Sequence, residues 1–432
     1  MGSQTPTPNK AEVLKKGAAT IAGAAWGAAS GAASGAASVV KELPRSAKET
    51  RLRATVRSPI GIDVGARTIK AVQLGRGRFG NGQWMVWATA EVPRSDVADG
   101  APAQGAQGPA TRRLLTRAEV GRLVGTLERQ GFTGDRVVLA APPEKLATSI
   151  LDLPPRSSQA PLEQIAKMEL ARAHRFSPDG FEMGCWDLPA SARAARATPV
   201  MAVACTHADA LAVIDPFEDE GLDVLSLDVL PCALARACGP LIEDDGTGIT
   251  GIVDLGWATA DLILMHQGVV IYTRTLGDAG LSRLYQTLGA RLGLESDVID
   301  YLLADSGLTQ VGEGAGNGAG VAGAVAARKG PNDAAGLIAA HFEAAVQELQ
   351  VSLKYARHQY PDTPVSRLLM VGGGACIRGV SGHFSKTLGM AARTAAPADL
   401  AVCAPHVAEA CASPALTAAL GLAKFAEGCG RT

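Results

Sequence analysis

Two stretches of the sequence place an aspartate, a glycine and a hydroxyl residue between apolar runs. The first stretch, residues 60–74, contains Asp63, Gly65, Thr68 and Lys70. Glycine lets backbone N–H groups approach an anion closely, lysine supplies a positive charge for a phosphate, and a carboxylate beside phosphates binds Mg²⁺ directly or through water. The stretch is therefore a candidate phosphate-binding turn, although an ordinary hairpin turn uses the same residue types.

The second stretch, residues 249–265, repeats the same order. An apolar run ends in Asp254, then Gly256 and Thr259 follow, and a further apolar run begins at once. Short apolar runs of this kind are typical of buried strands, so each stretch predicts a β-hairpin whose turn carries polar groups. One such turn is a weak indication of a phosphate site, and a second copy in the same chain makes that interpretation more specific.

A third motif follows the apolar run 368–371, which ends in three consecutive glycines, Gly372, Gly373 and Gly374. The pattern predicts a strand that leads into a glycine loop and then a helix. Such a loop lets backbone lie close to a ligand, because glycine has no side chain to block the approach.

The elements around these motifs follow from their apolar spacing. After the first hairpin we expect a strand at 84–88, a helix at 114–130 and a strand at 137–141. A long helix, with its apolar residues between 337 and 356 on one face, precedes the strand that leads to the glycines. These elements must position the three motifs relative to one another.

The order and spacing of two Asp-x-Gly hairpins and a strand–glycine loop resemble the actin/Hsp70/sugar-kinase superfamily. The resemblance implies an α/β fold in which two duplicated ribonuclease H-like domains face each other, with a nucleotide between them and a small inserted subdomain. Within the superfamily, the chain resembles the PilM family of type IV pilus assembly proteins, which is related to FtsA. This resemblance covers residues 58–426 and is carried by residues 153–154, 169, 175–178, 227–235, 271–280 and 421–423.

The predicted domain organisation follows that resemblance. It comprises an N-terminal tail, a first domain in two parts, an insert between those parts, and a second domain with a Gly-rich loop. The predicted bounds are 1–57 for the tail, 58–150 and 199–245 for the first domain, 151–198 for the insert, 246–426 for the second domain and 311–333 for the loop.

The resemblance also implies a site for ATP and Mg²⁺. Asp63 and Asp254 would face Mg²⁺ through water. Phosphates would be held from one domain by Gly65, Thr68 and Lys70, and from the other by Gly256 and Thr259. The nucleoside would lie against Gly372, Gly373 and Gly374. No residue stands out as a catalytic base, so we expect weak ATPase activity at most.

The chain departs from the family pattern at three places. Ala66 stands where relatives usually have serine, which removes one hydroxyl donor. Trp257 is bulky and lies beside the expected phosphates. The family's Ala-Glu-x-x-Lys helix corresponds here to residues 294–301, which contain no lysine, although an aspartate there could replace the glutamate. Each departure predicts weaker nucleotide binding.

Composition limits the class of protein. The chain has 432 residues, enough for two or more domains, and 47% of them are hydrophobic. Its eight cysteines form no Cys-x-x-Cys pair, which argues against a disulfide framework or a zinc site and fits a reducing cytoplasm. The sequence has no Gly-Lys-Ser/Thr motif, which excludes the ordinary P-loop. Nothing indicates nucleic-acid binding.

The N-terminal tail differs from the rest of the chain. Residues 1–57 carry nine Lys or Arg against three Glu, while residues 17–40 carry no charge and repeat glycine every fourth residue from 23 to 35. Three interpretations stay open: a flexible low-complexity tail, a basic helix that touches the membrane surface or a partner, and a membrane-spanning helix.

Three functions are compatible with these features. In the first, the chain is a nucleotide-responsive assembly protein at the cytoplasmic face of the inner membrane. There it would dock the cytoplasmic tail of a PilN-like pilus or secretion protein, and it could also self-associate. The second is a small-molecule (sugar) kinase of the same fold, with Asp209 as a candidate base. The third is a degenerate scaffold that binds no nucleotide.

Overall fold

The computed structural model describes residues 56–76, 83–94, 113–189, 197–242, 248–308 and 333–425. Residues 1–55 of the predicted tail and 311–332 of the predicted Gly-rich loop lie outside the described residues. None of the described helices combines the length and apolar character that a membrane-spanning helix needs.

The first domain is built on a six-stranded sheet of order β14-β3-β2-β1-β4-β8. β1 and β2 form the predicted antiparallel hairpin, while β4 and β8 run parallel to β1 on its other side. The strands are β1 (Val56–Val64), β2 (Thr68–Arg76), β3 (Trp84–Pro93), β4 (Arg136–Ala140), β8 (Asp223–Asp228) and β14 (Val402–Cys403).

The second domain repeats this order in a five-stranded sheet, β11-β10-β9-β12-β13. Here too a central strand pairs antiparallel with the next strand of its hairpin and parallel with a later strand. The matching order and directions confirm the predicted duplication. The strands are β9 (Ile249–Leu255), β10 (Ala260–His266), β11 (Val269–Leu276), β12 (Val365–Val371) and β13 (Ala391–Thr394).

A separate three-stranded antiparallel sheet, of order β5-β7-β6, forms the insert. Its strands are β5 (Leu146–Leu153), β6 (Phe181–Asp187) and β7 (Thr198–Thr206). The insert therefore begins before and ends after the predicted bounds 151–198. The reason is the register, which pairs β5 with β7 along the whole length of both strands, so that the two cannot belong to different sheets.

The described α-helices connect and cover these sheets. They are α1 (Arg117–Arg129), α2 (Leu162–His174), α3 (His207–Glu218), α4 (Leu230–Cys238), α5 (Leu281–Leu292), α6 (Ser296–Asp305), α7 (Ala334–Gln359), α8 (Val380–Leu388), α9 (Pro397–Leu400) and α10 (Thr417–Ala423). The apolar stripe predicted for the long helix is buried along α7, at Leu337, Phe342, Val346, Leu349, Leu353 and Ala356.

The C-terminal segment returns to the first domain. β14 extends the edge of the first sheet beside β3, and α10 packs against β1 and α4. Arg236 on α4 donates to the carbonyl of Gly421 on α10 at 3.2 and 3.0 Å. The predicted second domain, 246–426, therefore ends before β14, because β14 pairs with β3 and α10 packs against β1, β2 and α4 of the first domain.

Candidate nucleotide site

The first Asp-x-Gly turn joins β1 to β2. Asp63 lies opposite Lys70 in the strand register, and Lys70 Nζ is 3.4 Å from Asp63 Oδ2. The backbone N–H of Gly65 donates to the carbonyl of Thr68 at 3.0 Å. A Cβ on Gly65 would lie 2.6 Å from that same oxygen, so the tight turn requires glycine.

The second turn joins β9 to β10 with the same backbone geometry. A Cβ on Gly256 would lie 2.7 Å from the carbonyl oxygen of Thr259. The residue opposite Asp254 is Asp261, so this turn has a carboxylate where the first turn has a lysine. Asp261 accepts hydrogen bonds from Thr275 at 2.6 Å and from Thr259 at 3.4 Å.

The glycine loop follows β12 and packs directly against the second turn. Gly372 has φ +81°, and a Cβ there would lie 2.2 Å from Asp254 Oδ1 and 2.8 Å from the carbonyl oxygen of Leu255. The next residues form a short 3₁₀ helix, Gly373–Cys376, instead of entering an α-helix at once. Residue 372 must therefore be glycine for two reasons: its backbone is left-handed, and it lies too close to Asp254 and Leu255 for a Cβ.

Both turns and the glycine loop open onto one cavity of about 540 Å³ between the two domains. Two of the predicted site residues, Thr259 and Gly374, do not line it: the hydroxyl of Thr259 faces Asp261, and Gly374 is buried against Leu255. The predicted site residues that do line the cavity are Asp63, Gly65, Thr68, Lys70, Asp254, Gly256, Gly372 and Gly373.

Arg67, which sequence reasoning overlooked, crosses the cavity from the first turn. Its Nη1 and Nη2 donate to Asp300 Oδ1 and Oδ2 on α6 at 2.8 and 2.6 Å. Its guanidinium carbon lies 4.6 Å from the ring centre of Trp257 and 5.2 Å from that of Tyr285. Tyr285 also donates a hydrogen bond to Asp300. Arg67 therefore contacts two of the places where the chain departs from the family pattern: Trp257 and the helix that has no lysine.

The electrostatics of this group follow from its contacts. Burial by itself raises the pKa of Asp300, but hydrogen bonds from Arg67 and Tyr285 outweigh it and hold that pKa below its usual value. The pKa of Tyr285 is raised well above its ordinary value, first by burial and then by the hydrogen bond to the Asp300 carboxylate. Asp300 is therefore ionised and Tyr285 neutral at neutral pH.

A buried ion pair supports the first turn from behind. Arg94 Nε donates to Glu119 Oε1 at 3.0 Å, and the two side chains are 2% and 1% exposed. Arg94 Nη1 donates to the carbonyl of Gly65 at 3.2 Å, and the Arg94 backbone N–H donates to the carbonyl of Arg67 at 3.0 Å. Arg113 and the backbone N–H of Thr116 also donate to Glu119.

The residues of the cavity suit an anion with a bound cation. Asp63 Oδ1 is buried and, within the described part of the chain, has no hydrogen-bond partner. No group of three or more His, Cys, Asp or Glu side chains that could hold a metal ion occurs among the described residues. Mg²⁺ would therefore have to share its coordination with phosphates and water, as Mg²⁺ usually does. Asp63 and Asp254 would contact that shell.

Asp209, the candidate base of a kinase, is held elsewhere. It lies in the first turn of α3, where its backbone N–H donates to the Thr206 hydroxyl at 3.1 Å. Lys145 pairs with its carboxylate at 2.7 Å. It does not line the cavity. A carboxylate in the first turn of a helix is stabilised by the helix dipole, and Lys145 pairs with its charge, so these contacts give Asp209 a structural role.

Comparison with known proteins adds a structural likeness. No protein-family model matches the sequence, and no curated protein matches it. One chain of the PilM–PilN type IV pilus biogenesis complex is similar over 86% of this chain and 98% of that chain, with a TM-score of 0.64 and 18% sequence identity. This chain has a PilM-type, actin-like fold.

Two further structures are similar at lower scores. The ethanolamine utilization protein EutJ from Carboxydothermus hydrogenoformans has a TM-score of 0.47 and 16% identity, over 87% of this chain and 92% of that one. The cytoplasmic domain of EpsL, from the type II secretion system of Vibrio cholerae, has a TM-score of 0.31 and 12% identity, over 58% and 79%. One fold can host many functions, so the fold alone does not identify the ligand. The ligand has to be inferred from the residues that line the cavity of this chain.

Proposed function

We propose that this chain binds ATP with Mg²⁺ in the cavity between its two domains. The observation that carries the proposal is that both Asp-x-Gly turns and the glycine loop line the same cavity from opposite domains. Its volume, about 540 Å³, lies in the range of ordinary small-molecule sites.

The proposed roles differ between the two turns. Lys70 supplies the positive charge for the phosphates, and Gly65 and Thr68 complete the first turn. Gly256 lets the second turn approach the phosphates, while the glycine loop leaves room for the nucleoside. Asp63 and Asp254 contact Mg²⁺ through water. We assign no catalytic base, so hydrolysis is weak at most.

Calorimetric titration of Mg-ATP into the full chain tests this site. We expect saturable binding in the natural chain, loss of binding in Asp63→Ala, and unchanged binding in Asp223→Ala, which removes an exposed carboxylate at the start of β8. An absence of both heat and thermal stabilisation at millimolar Mg-ATP would contradict the proposal and favour a scaffold without nucleotide.

We further propose that the chain is an assembly protein of a type IV pilus or type II secretion-like machine. In this proposal it docks the short cytoplasmic tail of a PilN-like inner-membrane protein where the insert meets the first domain. Two observations support it: the fold is similar to a chain of the PilM–PilN complex, and a second cavity of about 190 Å³ lies where the insert and the first domain meet β10 and β11 of the second domain. Its lining includes Thr148, Trp186, Met201 and Val229.

Fluorescence anisotropy with the labelled cytoplasmic-tail peptide of a PilN-like protein from the same genome tests the docking. Thr148→Arg adds bulk to the cavity from the exposed face of β5, and we expect it to abolish peptide binding. Gln286→Arg, which adds the same charge on the exposed side of α5, should leave binding unchanged. Equal peptide affinity in both variants would exclude this cavity as the docking site.

The location and assembly state stay predictions of this proposal. An assembly protein of this kind would be cytoplasmic and peripheral to the inner membrane, with the basic tail 1–57 touching the membrane surface and with self-association possible. The kinase alternative predicts ATP-dependent phosphorylation of a sugar, and we expect none, because Asp209 is held by Lys145 and Thr206 outside the cavity.

A further inference from the structure

The Arg67–Asp300 pair links the first domain to the second at the cavity, away from the places where the main chain passes between the domains. Arg67 belongs to the β1–β2 turn of the first domain, and Asp300 belongs to α6 of the second. The chain passes to the second domain after α4 and returns before β14. Any motion that separates the two domains at the cavity must therefore break the bidentate pair and withdraw Arg67 from Trp257 and Tyr285.

The same arginine belongs to the wall of the cavity. It lies between Gly65 and Thr68 in the turn that would hold phosphates, and it lines the cavity with them. A guanidinium matches a carboxylate and a phosphate equally well, because both present two oxygens to its parallel N–H groups. Asp300 and an anion in the cavity therefore compete for the same donors.

We propose that Arg67 is an interdomain latch: it pairs with Asp300 to hold the two domains closed in the absence of a ligand, and a polyphosphate anion that enters the cavity takes its guanidinium from Asp300. The first half needs no nucleotide and goes beyond the function proposed above. The second half rests on that function.

Hydrogen exchange in the ligand-free full chain tests the first half. We expect Arg67→Ala and Asp300→Ala each to raise amide exchange both in the 65–68 turn and in α6, by about three- to tenfold, since the pair is charge-assisted but partly exposed. The effect of the double variant should be smaller than the two single effects combined, because both changes remove the same Arg67–Asp300 pair. Arg67→Lys keeps the charge without the bidentate geometry and should give an intermediate rate.

A second Arg–Asp pair provides a matched control. Arg156 donates to both oxygens of Asp187 at 2.7 and 2.6 Å, nearly the distances of the latch, but both residues belong to the insert. Arg156→Ala should leave exchange in α6 and in the turn unchanged. The latch would be overturned if Arg67→Ala affected only the turn while Asp300→Ala affected only α6, since the two changes would then be independent.

Binding of sodium tripolyphosphate with Mg²⁺ tests the second half. Arg67→Ala removes a ligand group, so it should weaken binding, whereas Asp300→Asn removes the competitor and should strengthen it by about threefold. Weakening in both variants would overturn the competition. If the natural chain binds neither tripolyphosphate nor ATP, the proposed nucleotide function and this competition both fail, and the exchange experiment still decides the ligand-free latch.

Discussion

The two Asp-x-Gly turns have the same backbone and opposite charge. In each turn a Cβ on the glycine would clash with the carbonyl oxygen three residues ahead, at 2.6 Å in the first turn and 2.7 Å in the second. Opposite the aspartate, however, the first turn has Lys70 and the second has Asp261. The two turns share their backbone shape because each has a glycine at the same position. The charge of the residue opposite the aspartate does not affect that shape, and it differs between the turns.

The supports of the two turns differ as well. The first turn is held from behind by the buried Arg94–Glu119 pair and extends Arg67 across the cavity. The second turn is covered by the glycine loop, with Gly372 against Asp254 and Leu255. The first domain therefore supplies the cationic side chains that line the cavity, Arg67, Lys70 and Arg94, and the second domain supplies close backbone contact.

The largest expected effect concerns the support of the first turn. Burial by itself raises the pKa of Glu119, but hydrogen bonds from Thr116 and Arg94 outweigh it and lower that pKa to about 2, from an ordinary 4.5. Glu119→Gln should therefore reduce the free energy of unfolding by about 3 kcal/mol at neutral pH, because Arg94 stays buried without a charged partner.

The sign of the pH dependence follows from the lowered pKa. The contribution of Glu119 is complete above about pH 4.5 and is lost as the pH falls towards 2. Urea unfolding at several pH values should show the natural chain and the variant converging over that range. Glu220→Gln, which breaks the exposed pair with Arg117, should reduce the free energy of unfolding far less, because solvent screens that pair. Equal losses in the two variants would mean that the buried pair does not support the turn.

A comparable loss of stability is expected where the glycine loop packs on the second turn. Gly372→Ala should cost about 3 kcal/mol in urea unfolding, because the added Cβ meets a positive φ and also backbone at 2.8 Å. Gly131→Ala is the matched control: its φ is +79° and nothing lies within 4 Å of the added Cβ, so only the backbone cost of about 1 kcal/mol remains. If both variants lose the same stability, the loop packs less tightly on the turn than the structure shows.

The smallest expected effect is on Mg-ATP binding, and it compares the charged residues opposite the two aspartates. Lys70→Ala should weaken Mg-ATP binding about tenfold, since a charged donor to the phosphates is lost. Asp261→Asn should change it less than about twofold, because Asp261 is engaged by Thr275 and does not line the nucleotide cavity. Calorimetry on both variants, with thermal melting to confirm folding, makes the comparison. A larger effect of Asp261 would assign the phosphates to the second turn.

Much of the fold was predictable because its signals are local. Each hairpin was visible as two apolar runs around a polar turn, and the stripe of α7 as helical spacing over twenty residues. The bounds of the insert were not, because they depend on pairing between β5 and β7 across more than forty residues of chain. The return of α10 to the first domain depends in the same way on a distant contact with β1.

Within the site, sequence alone determined the residues of the turn motifs, among them Asp63, Lys70 and Asp254. Gly65, Gly256 and Gly372 stand at recognisable positions because a Cβ there would clash with backbone. Tertiary structure alone decided which charges meet. Arg67 looks like any turn arginine and Asp300 like any helix aspartate, and only the facing of two domains puts their side chains 2.6 Å apart. A turn motif depends on residues that are close in the chain, so the sequence shows it. A contact across a cavity depends on how the two domains pack, so only the tertiary structure shows it.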